Sequence, residues 1–181
     1  MTFIIVIALV VLLVLWVISV QNKLVKSDEI CNNALKQINV QQISRYDALQ
    51  ALVKLTREYA GYEAETLQKV VEARKITSSP APTAAEINAN EQALSEIAAR
   101  LIAVAEAYPE LKANQNYQDT MHSIKEYEEN VRLSRMTFND TVTRFNQQVR
   151  VFPASLVAGM LGFAKRDYLA DDVSKKDYPV I

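Results

Sequence analysis

The first charged side chain of this 181-residue chain is Lys23, and residues 1–20 are almost wholly Ile, Val, Leu, Ala, Phe and Trp. At about 1.5 Å of rise per residue, a helix of that length covers the roughly 30 Å hydrocarbon core of a bilayer, where a charge would cost several kcal/mol. A signal peptide is the competing reading and fits poorly. No Lys or Arg precedes the run, the run is longer than a usual signal core, and no Ala-x-Ala-like site comes after it. Asp28, Glu29 and Ile30 also stand where a lipoprotein would have small residues before Cys31. Residues 1–22 therefore read as a retained transmembrane anchor. Trp16 suits the headgroup layer near the end of the span, and Lys23 and Lys26 lie just past it at the membrane interface. With Lys36 they put the flanking cations after the span, so the positive-inside rule places the large polar domain in the cytoplasm.

After the anchor, about 160 residues remain, enough for one domain with its own core. Formal net charge is −1 with both signs interspersed, so no basic stripe exists for nucleic acid. Only 3 glycines and 5 prolines occur, which favours helix over sheet. Cys31 is the single cysteine and cannot form an intramolecular disulfide.

No proline and one glycine, Gly61, lie between Asn22 and Lys75, a stretch that reads as one long helix or two end to end. A seam with alternating steps of three and four passes through Cys31, Leu35, Ile38, Gln42, Arg45, Leu49, Leu52, Thr56, Tyr59, Glu63, Thr66, Val70 and Ala73. Gln42, Arg45 and Glu63 interrupt it and require partners or solvent. Prolines and hydroxyls make residues 77–83 a connecting loop, after which Thr83 and Glu86 have the spacing of a capping box. The second helix carries Ile87, Leu94, Ile97, Ala98, Leu101, Val104 and Ala105 on one side and stops at Ala107-Tyr108-Pro109. A third opens near Asn114 or Asn116 and runs to Phe152-Pro153. Its coiled-coil-like stripe is Tyr117, Met121, Ile124, Glu128, Val131, Arg135, Phe138, Val142, Phe145, Val149 and Phe152.

The apolar segment from Leu156 to Phe163 is too short to span a bilayer and is interrupted by Gly159 and Gly162. It is expected to fold back on the bundle end, with a membrane-surface segment as the alternative because Lys165 and Arg166 come next. The expected fold is all-α: a single N-terminal transmembrane helix, then an elongated antiparallel bundle of three long helices plus a short C-terminal helix. The bundle domain is drawn at 23–163 and a partly ordered tail at 164–181.

Ser44-Arg45-Tyr46-Asp47-Ala48-Leu49, Glu72-Ala73-Arg74, Ala107-Tyr108-Pro109-Glu110-Leu111-Lys112-Ala113-Asn114, and Arg135-Met136-Thr137-Phe138-Asn139 with Phe145-Asn146 and Phe152-Pro153 together resemble the LemA family. The resemblance covers nearly the whole chain. Gln50 stands where such proteins commonly have a proline, and Ser44 where a second arginine is usual. The resemblance implies a bacterial single-span membrane protein with a helical bundle, and no catalytic residue. The frequent nearness of such genes to those of membrane-bound peptidases implies a peptidase system as partner and a part in envelope quality control.

Asn139 and Asn146 each come directly after a stripe phenylalanine and are expected to make register-setting hydrogen bonds to a neighbouring helix. Arg45, Glu63, Glu128 and Arg135 are expected in cross-helix ion pairs, which set register more than they stabilise. His122 lacks a second ligand at metal spacing, and Cys31 lacks an activating helix start or cation cluster. No catalytic, cofactor-binding or metal residue is identified. The expected role is therefore a non-enzymatic, membrane-anchored scaffold or adaptor for protein partners. One alternative is a ligand-binding regulator or enzyme with a polar groove of Asn139, Asn146, Arg135 and Glu63; another is a self-assembling, homo-oligomeric structural membrane protein.

Overall fold

The computed structural model describes residues 1–61, 67–68, 71 and 81–169. Among these the chain is all-helical, without strands, and its helices form a bundle behind a long apolar amino-terminal segment. The bounded helices are α1 (Thr2–Thr56), α2 (Ala84–Ala107), α3 (Pro109–Ala113), α4 (Gln115–Arg150) and α5 (Ala154–Met160). Leu67, Gln68 and Val71 are helical as well. The fold divides into two compact units. The first comprises Met1–Ala34 and Thr137–Tyr168, and the second holds Leu35–Met136 and, among the described residues after them, Leu169.

α1 contains neither glycine nor proline, so the apolar run continues into the polar part as one helix, and Asp47–Gln50 passes without interruption. It does not reach Lys75. The helix ends at Thr56, whose buried hydroxyl donates to the Leu52 carbonyl at 2.8 Å, and residues 57–59 form a turn. Tyr46 donates its hydroxyl to the Val71 carbonyl, 3.1 Å away and 25 residues later. In one continuous helix those residues would lie about 37 Å apart, so the segment doubles back. The physical reason is burial: Leu67 and Val71 join Leu49, Leu52 and Val53 in the core of the second unit instead of carrying their apolar surface into water.

Of the seam, every member from Cys31 to Thr56 is buried and Tyr59 is half-buried. Leu67 and Val71 lie outside the register read from the sequence, and Glu63, Thr66, Val70 and Ala73 fall outside the described residues. So do residues 77–80 of the connecting loop. The reversal makes α2 run parallel to α1, since Gln42 meets Ile87 and Arg45 meets Glu91. α4 runs antiparallel to both, as Arg45–Glu128, Tyr59–Asn114 and Asn88–Arg135 show.

The capping box forms as its spacing predicts. Thr83 Oγ1 accepts from the Glu86 N–H at 3.2 Å and Glu86 Oε2 accepts from the Thr83 N–H at 2.7 Å. After Tyr108 the chain makes the short helix α3, with Pro109 at its start, where the sequence suggests only a turn. Asn114 Oδ1 accepts from the Tyr117 N–H at 3.2 Å, opening α4. Tyr117, Ile124, Val131, Phe138, Val142 and Phe145 of the α4 stripe are buried. Phe152, expected to close that stripe, is instead 75% exposed, because α4 stops at Arg150 and the chain turns over 151–153. Past α5 the chain turns at Gly162, whose φ of 77° only glycine adopts readily, and the Phe163 N–H returns to the Ala158 carbonyl at 3.0 Å.

Candidate functional site

Each unit contains a cluster of interacting polar side chains. In the first, Asp28 and Asn32 are four residues apart on α1 and therefore share a face. The Gly162 turn sends residues 163–168 back along α4, where the Phe163 ring meets Phe145 edge-on with centroids 6.3 Å apart. Asn146 grips this returning strap by its main chain: Nδ2 donates to the Arg166 carbonyl and Oδ1 accepts from the Arg166 N–H, both at 2.9 Å. The Arg166 side chain then crosses to α1. Its Nε donates to Asp28 Oδ1 at 2.8 Å and its Nη2 to Asn32 Oδ1 at 2.7 Å, with the guanidinium 5.8 Å from the Phe145 ring centroid. A partly covered, charge-assisted bond of this kind outweighs a fully solvated ion pair.

Two further contacts set the register of α1 against α4 in this unit. Ser27 donates to Gln148 Oε1 at 2.9 Å, and the Cys31 thiol hydrogen-bonds Thr141. Burial pushes the Cys31 thiol above its ordinary pKa, only partly offset by the Thr141 bond and the Arg166 charge. The thiol is therefore held protonated and is a packing group rather than a nucleophile.

In the second unit the side chain of Arg45 is 2% exposed. Its Nη1 donates to Glu91 Oε1 at 2.7 Å, and its Nη2 lies 3.5 Å from Glu128 Oε2. Gln42, also buried, donates to the Ile87 carbonyl at 2.9 Å and to Glu91 Oε2 at 3.1 Å. Arg135 donates to Asn88 Oδ1 at 3.1 Å. A buried arginine held by two carboxylates fixes how three helices meet, because any other register leaves the charge uncompensated.

The residues singled out from the sequence thus fall into different places. Arg45, Glu128 and Arg135 belong to the second unit, and Asn146 to the first; Glu63 is outside the described residues. Asn139 is half-buried in the first unit, and its carbonyl accepts from the Thr143 hydroxyl at 2.9 Å. The partner of Asn146 is a returning strap rather than a helix. Trp16 is 37% exposed, and Lys23 and Lys26 are exposed on α1 beyond an apolar stretch long enough to cross a membrane. Glu91, Asn88, Asp28, Asn32 and Arg166 escaped the sequence reading. Asp28 and Asn32 carried a usable signal, an acid and an amide at helical spacing awaiting a cation.

An open groove of about 420 Å³ in the second unit is lined by Ser44, Asp47 and Ala48 of α1 and by Asp119, Thr120, Ser123 and Tyr127 of α4. Its polar lining is hydroxyls and two carboxylates. Among the described residues no group of three or more His, Cys, Asp or Glu could hold a metal ion.

A sequence profile of the LemA family matches residues 34–181. The chain belongs to the LemA family. Two curated relatives, Magnetosome protein MamQ 1 and Magnetosome protein MamQ 2 of Paramagnetospirillum magneticum (strain ATCC 700264 / AMB-1), are 28% identical over 82 residues, 45% of this chain. The match spans 30% of the length of each of these relatives. In this LemA chain three of the motifs behind the family resemblance coincide with structural ties, while Glu72-Ala73-Arg74 lies outside the described residues. Arg45 is the buried arginine, Tyr108-Pro109 joins α2 to α3, and Phe145-Asn146 carries the strap.

Proposed function

We propose that this LemA protein is a non-enzymatic scaffold, tethered to the bacterial inner membrane by the apolar part of α1, that presents its bundle on the cytoplasmic side to protein partners. The observation that carries the reading is the use made of its distinctive polar groups. Arg45 is bound to Glu91 and Glu128, and Asn146 to the main chain of Arg166, so these groups hold the chain to itself. A membrane-bound peptidase system is the partner class this reading favours, with a part in envelope quality control. Affinity purification of the full chain from gently solubilised native membranes tests it. A reproducible partner that is retained by the wild type is expected; recovery of the chain alone, as a discrete oligomer, would replace the adaptor reading with a self-assembling structural one. Labelling of a cysteine introduced at Lys125 on intact cells tests the side, and reaction with an impermeant reagent would overturn the cytoplasmic placement.

A further inference from the structure

We propose that the elbow formed by the end of α4 and by α5 sits in the interfacial layer of the bilayer, as a second membrane contact beside the α1 span. This rests on the tethered reading and deepens it. The register of α1 against α4 sets the level of the elbow. Cys31 meets Thr141 and Ser27 meets Gln148, so α4 runs antiparallel to α1 here and approaches the N-terminal part of α1 as it nears its own C terminus. Continued at one residue per residue, the first pair brings Phe152 level with Val20 and the second with Lys23, which brackets the end of the apolar run.

α5 comes next, before Gly162 turns the chain back and brings Phe163 against Phe145. The cover on α1 agrees. Leu24 is 1% exposed, and Val20 and Val17, on the same face four and seven residues earlier, are half-buried, whereas residues 1–16 are exposed throughout.

The outer surface of the elbow is apolar. Val151 is 59% exposed, Phe152 75%, Leu156 62% and Met160 88%, while Val157 and Ala158 point inward and are buried. In water such a patch would be a liability; next to a span it is what a bilayer interface accepts. Charge selects the same occupant. Residues 1–27 contain Lys23 and Lys26 and no acid, and residues 141–166 contain Arg144, Arg150, Lys165 and Arg166 and no acid. Lys23, Lys26 and Arg150 are exposed at the level of the elbow, and Lys165 is exposed near Arg166 about a turn away. A collar of exposed cations around an apolar tip matches anionic headgroups over acyl chains.

The test is a depth measurement on the full chain in nanodiscs of phosphatidylethanolamine and phosphatidylglycerol. In a Cys31→Ala background, one fluorophore is attached at Met160→Cys or Phe152→Cys for the elbow, at Leu9→Cys for the span, and at His122→Cys for the bundle. Lipid-borne nitroxide should quench the elbow and span probes severalfold more than the bundle probe, and iodide should quench the bundle probe alone. Elbow probes that behave like the His122 probe while the Leu9 probe stays lipid-quenched would overturn this proposal and leave the tether intact. Elbow probes shielded from both quenchers would also overturn it, since a protein surface would then cover the patch. An iodide-accessible Leu9 probe would remove the tether and the elbow contact together.

Discussion

Asn146 binds Arg166 through the main chain, with its amide nitrogen and oxygen each 2.9 Å from the Arg166 carbonyl and N–H. A side-chain amide here does the work of a neighbouring strand, satisfying both backbone groups of an irregular segment. Because the main chain is held, the guanidinium is free to reach Asp28 and Asn32 on α1. Two residues thereby tie α1, α4 and the returning strap into one unit.

Asn146→Ala removes both bonds and leaves two half-covered backbone groups without partners. A loss of about 2 kcal/mol is expected, with faster amide exchange over residues 163–168. Asn146→Asp keeps the acceptor and loses the donor, so its loss should be intermediate. Urea unfolding of the full chain in detergent measures both, and unchanged stability for the alanine variant would show that the strap holds without this grip.

At the Arg45 cluster the two carboxylates should not be equivalent. Glu91 is 20% exposed and lies at 2.7 Å, whereas Glu128 is 41% exposed and 3.5 Å away. Glu91→Ala strands a buried guanidinium and also costs Gln42 a partner, for an expected loss of roughly 3 kcal/mol; Glu128→Ala should lose under about 1 kcal/mol. Arg45→Met, which removes the buried charge itself, should be milder than Glu91→Ala. The comparison is made by thermal or urea unfolding, and equal losses for the two glutamate variants would contradict the asymmetry.

Cys31 makes a prediction about reactivity and about pH. A maleimide should react with the native chain far more slowly than with the chain in denaturant, at a rate set by opening. Since burial raises the folded pKa above the unfolded one, the neutral thiol's contribution is fully present below the unfolded value, about 8.5, and declines as pH rises through the folded value. Stability of the wild type should therefore fall more steeply than that of Cys31→Ala above about pH 8.5. Parallel curves would mean the thiol is not shielded.

The α2 cap titrates in the opposite sense. The Thr83 N–H and hydroxyl hold the Glu86 carboxyl below its ordinary pKa. Its stabilisation is present above the unfolded carboxylate pKa and is lost as pH falls through the lower folded value. Glu86→Ala, which removes the titrating carboxylate, should lower the melting temperature at neutral pH and lose most of that difference in acid. A difference that persists undiminished at low pH would show that the carboxylate contributes nothing to the cap.

Much of this architecture is legible in the residues alone. Local signals are self-contained: Thr83 and Glu86 announce the start of α2 within four residues, and Tyr108-Pro109 announces its end. The seam from Cys31 to Thr56 is readable because burial on one face imposes a period that no solvent-exposed helix needs. The fold-back after Thr56 is not readable, because a doubled helix and a continued one place apolar residues at nearly the same spacing. Only the arrival of Val71 at Tyr46 separates them. The partners of the polar seam residues are hidden for a related reason. Arg45 in the sequence demands a carboxylate, but Glu63, Glu91 and Glu128 meet that demand equally until the helices are placed.

The sequence by itself determined that the chain is helical, that it begins with a rod suited to lipid, and that charged side chains must lie within its buried seam. Those properties depend on composition and on neighbours within a few turns. Tertiary structure decided that α2 runs parallel to α1, that Glu91 and Glu128 hold Arg45, and that Asn146 seizes Arg166 across 20 residues. Such choices belong to surfaces distant in the chain, where burial rewards any apolar partner alike and only the simultaneous pairing of buried polar groups selects one arrangement.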